Sequence, residues 1–174
     1  MEAVRFSKVL AAESADFAKA NAIESEFVEG TRGWCGGLLQ NGAGRGAALD
    51  SNAETAKQLA NSAAVVSTQV GRVRQAVYDM PLTQEYTKQV RSNLIDELMK
   101  RQRALQEVRA LLQRAAPVFI QFRDNREYAG DSYPGEIARL NEVLATYKGP
   151  PDVLAQAMTN LKGKYKIAAA DLGK

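Results

Sequence analysis

Cys35 is the only cysteine of the chain and stands between Trp34 and Gly36, with Arg32 three residues upstream to stabilise a thiolate. There are no histidines. Mechanisms that join a Ser or Cys nucleophile to an imidazole base, His-ligated zinc and His-bound haem therefore drop out together, since each needs that ring near its neutral pKa. One cysteine likewise excludes an intramolecular disulfide and any multi-cysteine metal site. Cys35 is then either a reactive, lipidated or redox-active thiol in an exposed loop, or a small apolar residue inside the fold. Acid–base chemistry would draw on Asp96 with Glu97, Asp124 with Glu127, or an inward-facing Glu13, but spacing does not separate these from structural acids. Tyr128 and Tyr133 flank a Gly-Asp loop that either lines a pocket or caps a bundle.

The segment around Cys35, GTRGWCGGLLQNGAGRG over 30–46, holds seven glycines. In a helix interior each gives up about 1 kcal/mol relative to alanine, so the sequence predicts a loop or hinge with at most one helical turn through Trp34 and Leu38. Glycines also let backbone N–H groups approach a phosphate at a helix N-terminus. Here there is no Gly-Lys-Ser/Thr ending, no strand leading in, and Asp50 close by would repel the anion. The loop can instead display Trp34, Cys35, Leu38 and Leu39 to a protein partner, or fold them over one end of a bundle.

Helix, Trp34-Cys35-Gly36, helix also resembles the hairpin of the small Trp-x-Gly secretion substrates, whose motif lies in the turn between two helices. The resemblance covers the first half of the chain and rests on Trp34 and Gly36. The additional glycines and the long continuation past Pro81 depart from that family, and the functional expectation does not use it.

A second functional candidate is the basic stretch after Pro81. Lys88, Arg91, Lys100, Arg101, Arg103, Arg109 and Arg114 outnumber Glu85, Asp96, Glu97 and Glu107 there. Such a helix can neutralise phosphates. It can equally pair within itself and with the acidic first helix, and charge runs are mostly surface features of that kind.

The elements that must position these residues are helical. Phe6, Leu10, Phe17, Ala20 and Phe27 form a stripe over about Glu2–Phe27, with Glu13 and Glu24 on the same stripe. Asp50, Ser51 and Asn52 offer N-caps for a second helix. Its apolar positions are Ala56, Leu59, Ala63, Val66, Val70, Val73, Val77 and Met80, a heptad seam of small and β-branched residues. Pro81 breaks the chain before a third helix, Leu82 to about Ala116, with Tyr86, Val90, Leu94, Leu98, Leu105, Val108, Leu112 and Ala115 inward and Arg101 interrupting. So short a connection makes the two helices antiparallel. Pro117 is expected to kink or end the third helix, followed by the cluster Val118, Phe119, Ile120 and Phe122 and a connector over 123–135. Ile137, Leu140, Leu144 and Tyr147 mark a fourth helix stopped by KGPP at 148–151. Leu154, Met158, Leu161, Tyr165 and Ala168 mark a fifth, with Lys162, Lys164 and Lys166 near its carbonyl end.

The 174 residues carry a formal charge of +3 and a mean hydropathy of −0.31, and no window reaches the ~20 apolar residues of a membrane span. The N-terminal stretch is interrupted by Glu13 and Asp16, unlike a secretory signal. The expectation is one all-α domain over 1–174, an elongated bundle on a long antiparallel hairpin. It is cytoplasmic unless exported by a specialised system, without cofactor or metal. It is expected to act as a non-enzymatic scaffold, chaperone or secretion-associated protein, binding a protein partner or its own copies through Trp34, Cys35, Leu38, Leu39, Arg101, Arg103 and Arg109. Nucleic-acid binding through the basic helix, and an all-α enzyme using Arg, Lys and Glu, are the alternatives.

Overall fold

The computed structural model describes residues 1–147 and 152–172. Among them there are six helices and no strand: α1 Glu2–Asn41, α2 Ala47–Tyr78, α3 Glu85–Asp124, α4 Gly135–Thr146, α5 Val153–Tyr165 and a single turn α6, Ala169–Leu172. The molecule is an all-α helical bundle. The KGPP stop lies outside the described residues.

Contacts divide the chain into two units. Unit 1 takes 1–22, 67–103 and 150–174, so the first half of α1, the end of α2, the start of α3 and α5 pack together. Unit 2 takes 23–66 and 104–149, and packs the second half of α1, the start of α2, the end of α3 and α4. Each has its own apolar interior. In unit 1, Phe6, Leu10, Phe17, Val70, Val77, Leu98 and Leu161 are fully or nearly fully buried; in unit 2 the same holds for Ala56, Ala63, Leu112, Phe119, Ile137 and Leu140.

Most of the α2 seam is inside, as its period requires: Ala56, Ala63, Val66, Val70, Val73 and Val77 are buried, while Leu59 is half-buried and Met80 falls beyond the end of the helix. Its small side chains permit a close approach. Within unit 1 a Cβ on Gly71 would come within 3.0 Å of the Gln102 amide, which donates to the Ser67 carbonyl across from α3. Val90, Leu94, Leu98, Leu105, Val108, Leu112 and Ala115 of α3 are likewise buried. Glu24, on the α1 stripe, is fully enclosed, and Glu13 is half-buried.

Four boundaries differ from the sequence reading. The loop expected over 30–46 is confined to 42–46, and α1 runs unbroken to Asn41. Burial of Phe27, Val28, Thr31, Cys35 and Leu38 on one face offsets the helix-propensity cost of Gly30, Gly33, Gly36 and Gly37. Secondly, α2 begins before the Asp50-Ser51-Asn52 caps, and Asn52 is used elsewhere, as described below. Thirdly, α3 passes through Pro117 and ends at Asp124. Proline removes the donor that would reach the Gln113 carbonyl. Gln113 and Pro117 are both exposed and line an open groove, where water can serve that carbonyl, while Phe119 beyond them is fully buried. The expected connector over 123–135 shortens to 125–134.

Candidate functional site

The α1–α2 turn is built on three glycines in left-handed conformation. Gly42, Gly44 and Gly46 have φ of +72, +73 and +54°, a left-handed region that costs side-chain-bearing residues about 1–2 kcal/mol. A Cβ on Gly42 would also collide with the Asp131 backbone. That collision reflects a close pairing of two loops in unit 2: Ala43 N–H donates to Ser132 O and Gly44 N–H to Gly130 O, each at 2.9 Å. Arg45 lies over Gly130 and donates to Ala129 O. Phe122 stacks on Tyr128 at 4.4 Å, and Tyr128 donates to Ser132 O. The Gly-Asp loop between Tyr128 and Tyr133 is thus a clasp on the turn.

Behind that turn the candidate partner residues face inward. The Trp34 indole N–H donates to Asn52 Oδ1 at 2.9 Å, its ring tilts against Phe119 at 5.8 Å, and Asn52 in turn donates to Ala43 O. Cys35 is fully enclosed and Leu38 is 5% exposed. Burial pushes the Cys35 thiol up to about 12, because the thiolate would lose its hydration there. Leu39 is half-buried. Trp34, Cys35 and Leu38 are therefore packing residues of unit 2, and the reading of them as a displayed apolar plug or reactive thiol is corrected: they sit on a helix, and its buried face points them into the core. The Trp-x-Gly likeness is corrected with it, since Trp34-Cys35-Gly36 lies inside α1 and not in the turn.

The opposite face of that helix carries the glycines. Gly30, Gly33 and Gly37 are exposed, Gly36 is half-exposed, and a Cβ on any of the four would meet nothing within 4 Å. Ile23, a large apolar residue 37% exposed, falls on the same side by helical spacing, with Glu26 exposed between them. Sequence reasoning missed this face. The period of Phe27, Thr31, Cys35 and Leu38 could have shown it, because it places the glycines on the far side.

The basic helix α3 is largely committed. Arg101 is 5% exposed, its guanidinium 4.8 Å from the centre of the Phe17 ring, which removes it as a surface contact: a cation over an aromatic face tolerates this seam position. Arg91 donates to Met80 O after the end of α2. Lys88 pairs with Glu85 at 2.8 Å, Lys100 with Glu97 at 2.7 Å, and Arg123 with Asp50 at 2.6 Å. Lys100 is held above its usual pKa by Glu97. Arg103 and Arg109 are exposed. The groove of about 540 Å³ between α2 and α3 is lined by Ala60, Ala116, Pro117 and Ile120 with a rim of Lys57, Asn61, Gln113 and Gln121, not by the arginines. Among the described residues no group of three or more Cys, Asp and Glu is placed to hold a metal, and no helix is long and apolar enough to cross a membrane.

No protein-family model, curated protein or solved structure matches this chain.

Proposed function

We propose that the protein is a non-enzymatic helical interaction protein, and that its docking surface is the glycine-bearing face of α1 around Gly30, Gly33 and Gly37. The observation that carries this reading is that these glycines have no internal purpose. Each lowers helix stability by about 1 kcal/mol relative to alanine, none adopts a positive φ, and open space surrounds all of them. A helix that retains such positions on its outer side presents bare backbone, and bare backbone allows another helix to pack near the ~8 Å lower end of interaxial distances. Exposed Ile23 supplies an apolar contact beside it, and Glu26 favours a partner with a cation at that point.

The test compares the native chain with the triple variant Gly30→Gln, Gly33→Gln, Gly37→Gln. Glutamine fits the empty space and favours helix over glycine, so circular dichroism and melting temperature stay at or above native values. Sedimentation equilibrium reads self-association, and affinity capture from the source cells reads a separate partner. The reading predicts an association by one route that the three glutamines abolish. It fails if neither route shows one, or if the variant associates as the native chain does.

A further inference from the structure

The two units differ in charge. Unit 2 carries nine Lys and Arg against 11 Asp and Glu, whereas unit 1 carries 14 against nine. Within unit 1 the excess gathers where the start of α3 meets the end of α5. Tyr86 meets Tyr165 edge-on at 5.9 Å, and Lys164 lies 5.6 Å from the Tyr86 ring centre. Lys162 and Lys166 sit either side of Lys164, and neither has an acidic partner among the described residues. The nearby carboxylates are engaged elsewhere: Glu85 with Lys88, and Asp171 with the Ala168 N–H. From Tyr86 an open trough follows α3, lined by the paired Glu85 and Lys88 and by Gln89, Ser92 and Asn93.

We infer that this junction binds single-stranded nucleic acid, the phosphates lying on Lys162, Lys164 and Lys166 and the chain continuing along the trough past Tyr86. Lys162 and Lys164 flank α5 on opposite sides and Lys166 is its left-handed C-cap, so three cations without acidic partners surround the end of the helix, where a flexible phosphate backbone can bend from one to the next. The half-buried tyrosine rings offer edges and faces to bases, and the amides and hydroxyl of the trough offer hydrogen bonds to sugars. A lipid surface is the less suited polyanion: α5 exposes no large apolar side chain that could enter a bilayer. This site shares no residue with the α1 face and does not depend on the reading of that face.

The experiment is fluorescence anisotropy of a labelled oligothymidylate with the full-length protein. Three phosphate contacts at a slope of roughly 0.7 each predict about 20-fold weaker binding between about 50 and 200 mM salt. The triple variant Lys162→Gln, Lys164→Gln, Lys166→Gln, verified as folded by its melting curve, should lose binding and most of the salt slope. Arg109→Gln with Arg114→Gln, in unit 2, should bind as the native chain does. The inference is overturned if the native chain does not bind, if the unit 2 variant weakens binding as much as the unit 1 variant, or if vesicles of anionic phospholipid are bound and the oligonucleotide is not.

Discussion

Replacing Gly30, Gly33 and Gly37 together by alanine should stabilise the protein, whereas the single change Gly42→Ala, five residues further on, should destabilise it. In the first case alanine enters open space at helical φ, and three exchanges at about 1 kcal/mol each sum to about 3 kcal/mol. For a chain of this size that raises the melting temperature by roughly 6–12 °C. In the second, φ of +72° costs about 1–2 kcal/mol with a side chain, and the collision with Asp131 must open the bonds from Ala43 to Ser132 and from Gly44 to Gly130. At about 1 kcal/mol per bond the loss reaches roughly 3 kcal/mol. Urea denaturation followed by circular dichroism measures both. A triple variant no more stable than the native chain, or a neutral Gly42→Ala, would refute the assignment of 30–41 to helix and 42–46 to turn.

Three further outcomes follow from individual side chains. Cys35, enclosed and with its thiol pushed up to about 12, should react with a maleimide only as fast as unit 2 opens; complete labelling of the native protein on mixing would show an exposed thiol. Glu2 accepts from Thr83 N–H and Oγ1, Gln84 N–H and Thr87 Oγ1 at the start of α3, which lowers its carboxyl to about 2. Its contribution is therefore complete above the unfolded value near 4.5 and is lost as pH falls toward 2. The melting-temperature gap between native protein and Glu2→Gln should be open at neutral pH and close over that interval; a gap constant with pH would contradict the bonding. Arg101→Ala should cost about 2–4 kcal/mol, since it empties a buried position and removes the cation from Phe17, while Arg103→Ala and Arg109→Ala, both exposed, stay within about 0.5 kcal/mol. Equal effects from all three in chemical denaturation would put Arg101 on the surface.

Periodicity made the helices legible. The Val66–Val70–Val73–Val77 run, the leucines of α3 and the Ile137–Leu140–Leu144 set each lie buried where their spacing puts them, because a stripe at three- and four-residue steps can be hidden in one way only. Local propensity misled where tertiary burial outweighed it. Four glycines suggested a loop, yet Phe27, Cys35 and Leu38 lie between and beside them at helical spacing and hold that segment in α1. Pro117 suggested an end to α3, but Phe119 anchors the following turn. Residue type alone selected Trp34, Cys35 and Leu38 as contacts for a partner. Orientation decides that question, and it depends on which side of α1 faces the core, so fixing the helix moves the candidate surface to the glycines opposite.

Amide hydrogen exchange through α1 addresses this most directly. The amides of Gly33, Trp34, Cys35, Gly36 and Gly37 should be protected to the same order as those of Phe27 and Val28, while those of Arg45 and Gly46, in the turn outside the helix, exchange faster. Exchange of the five at unprotected rates, with protection ending near Phe27, would mean that the helix stops before the glycines and that the face proposed for a partner does not exist.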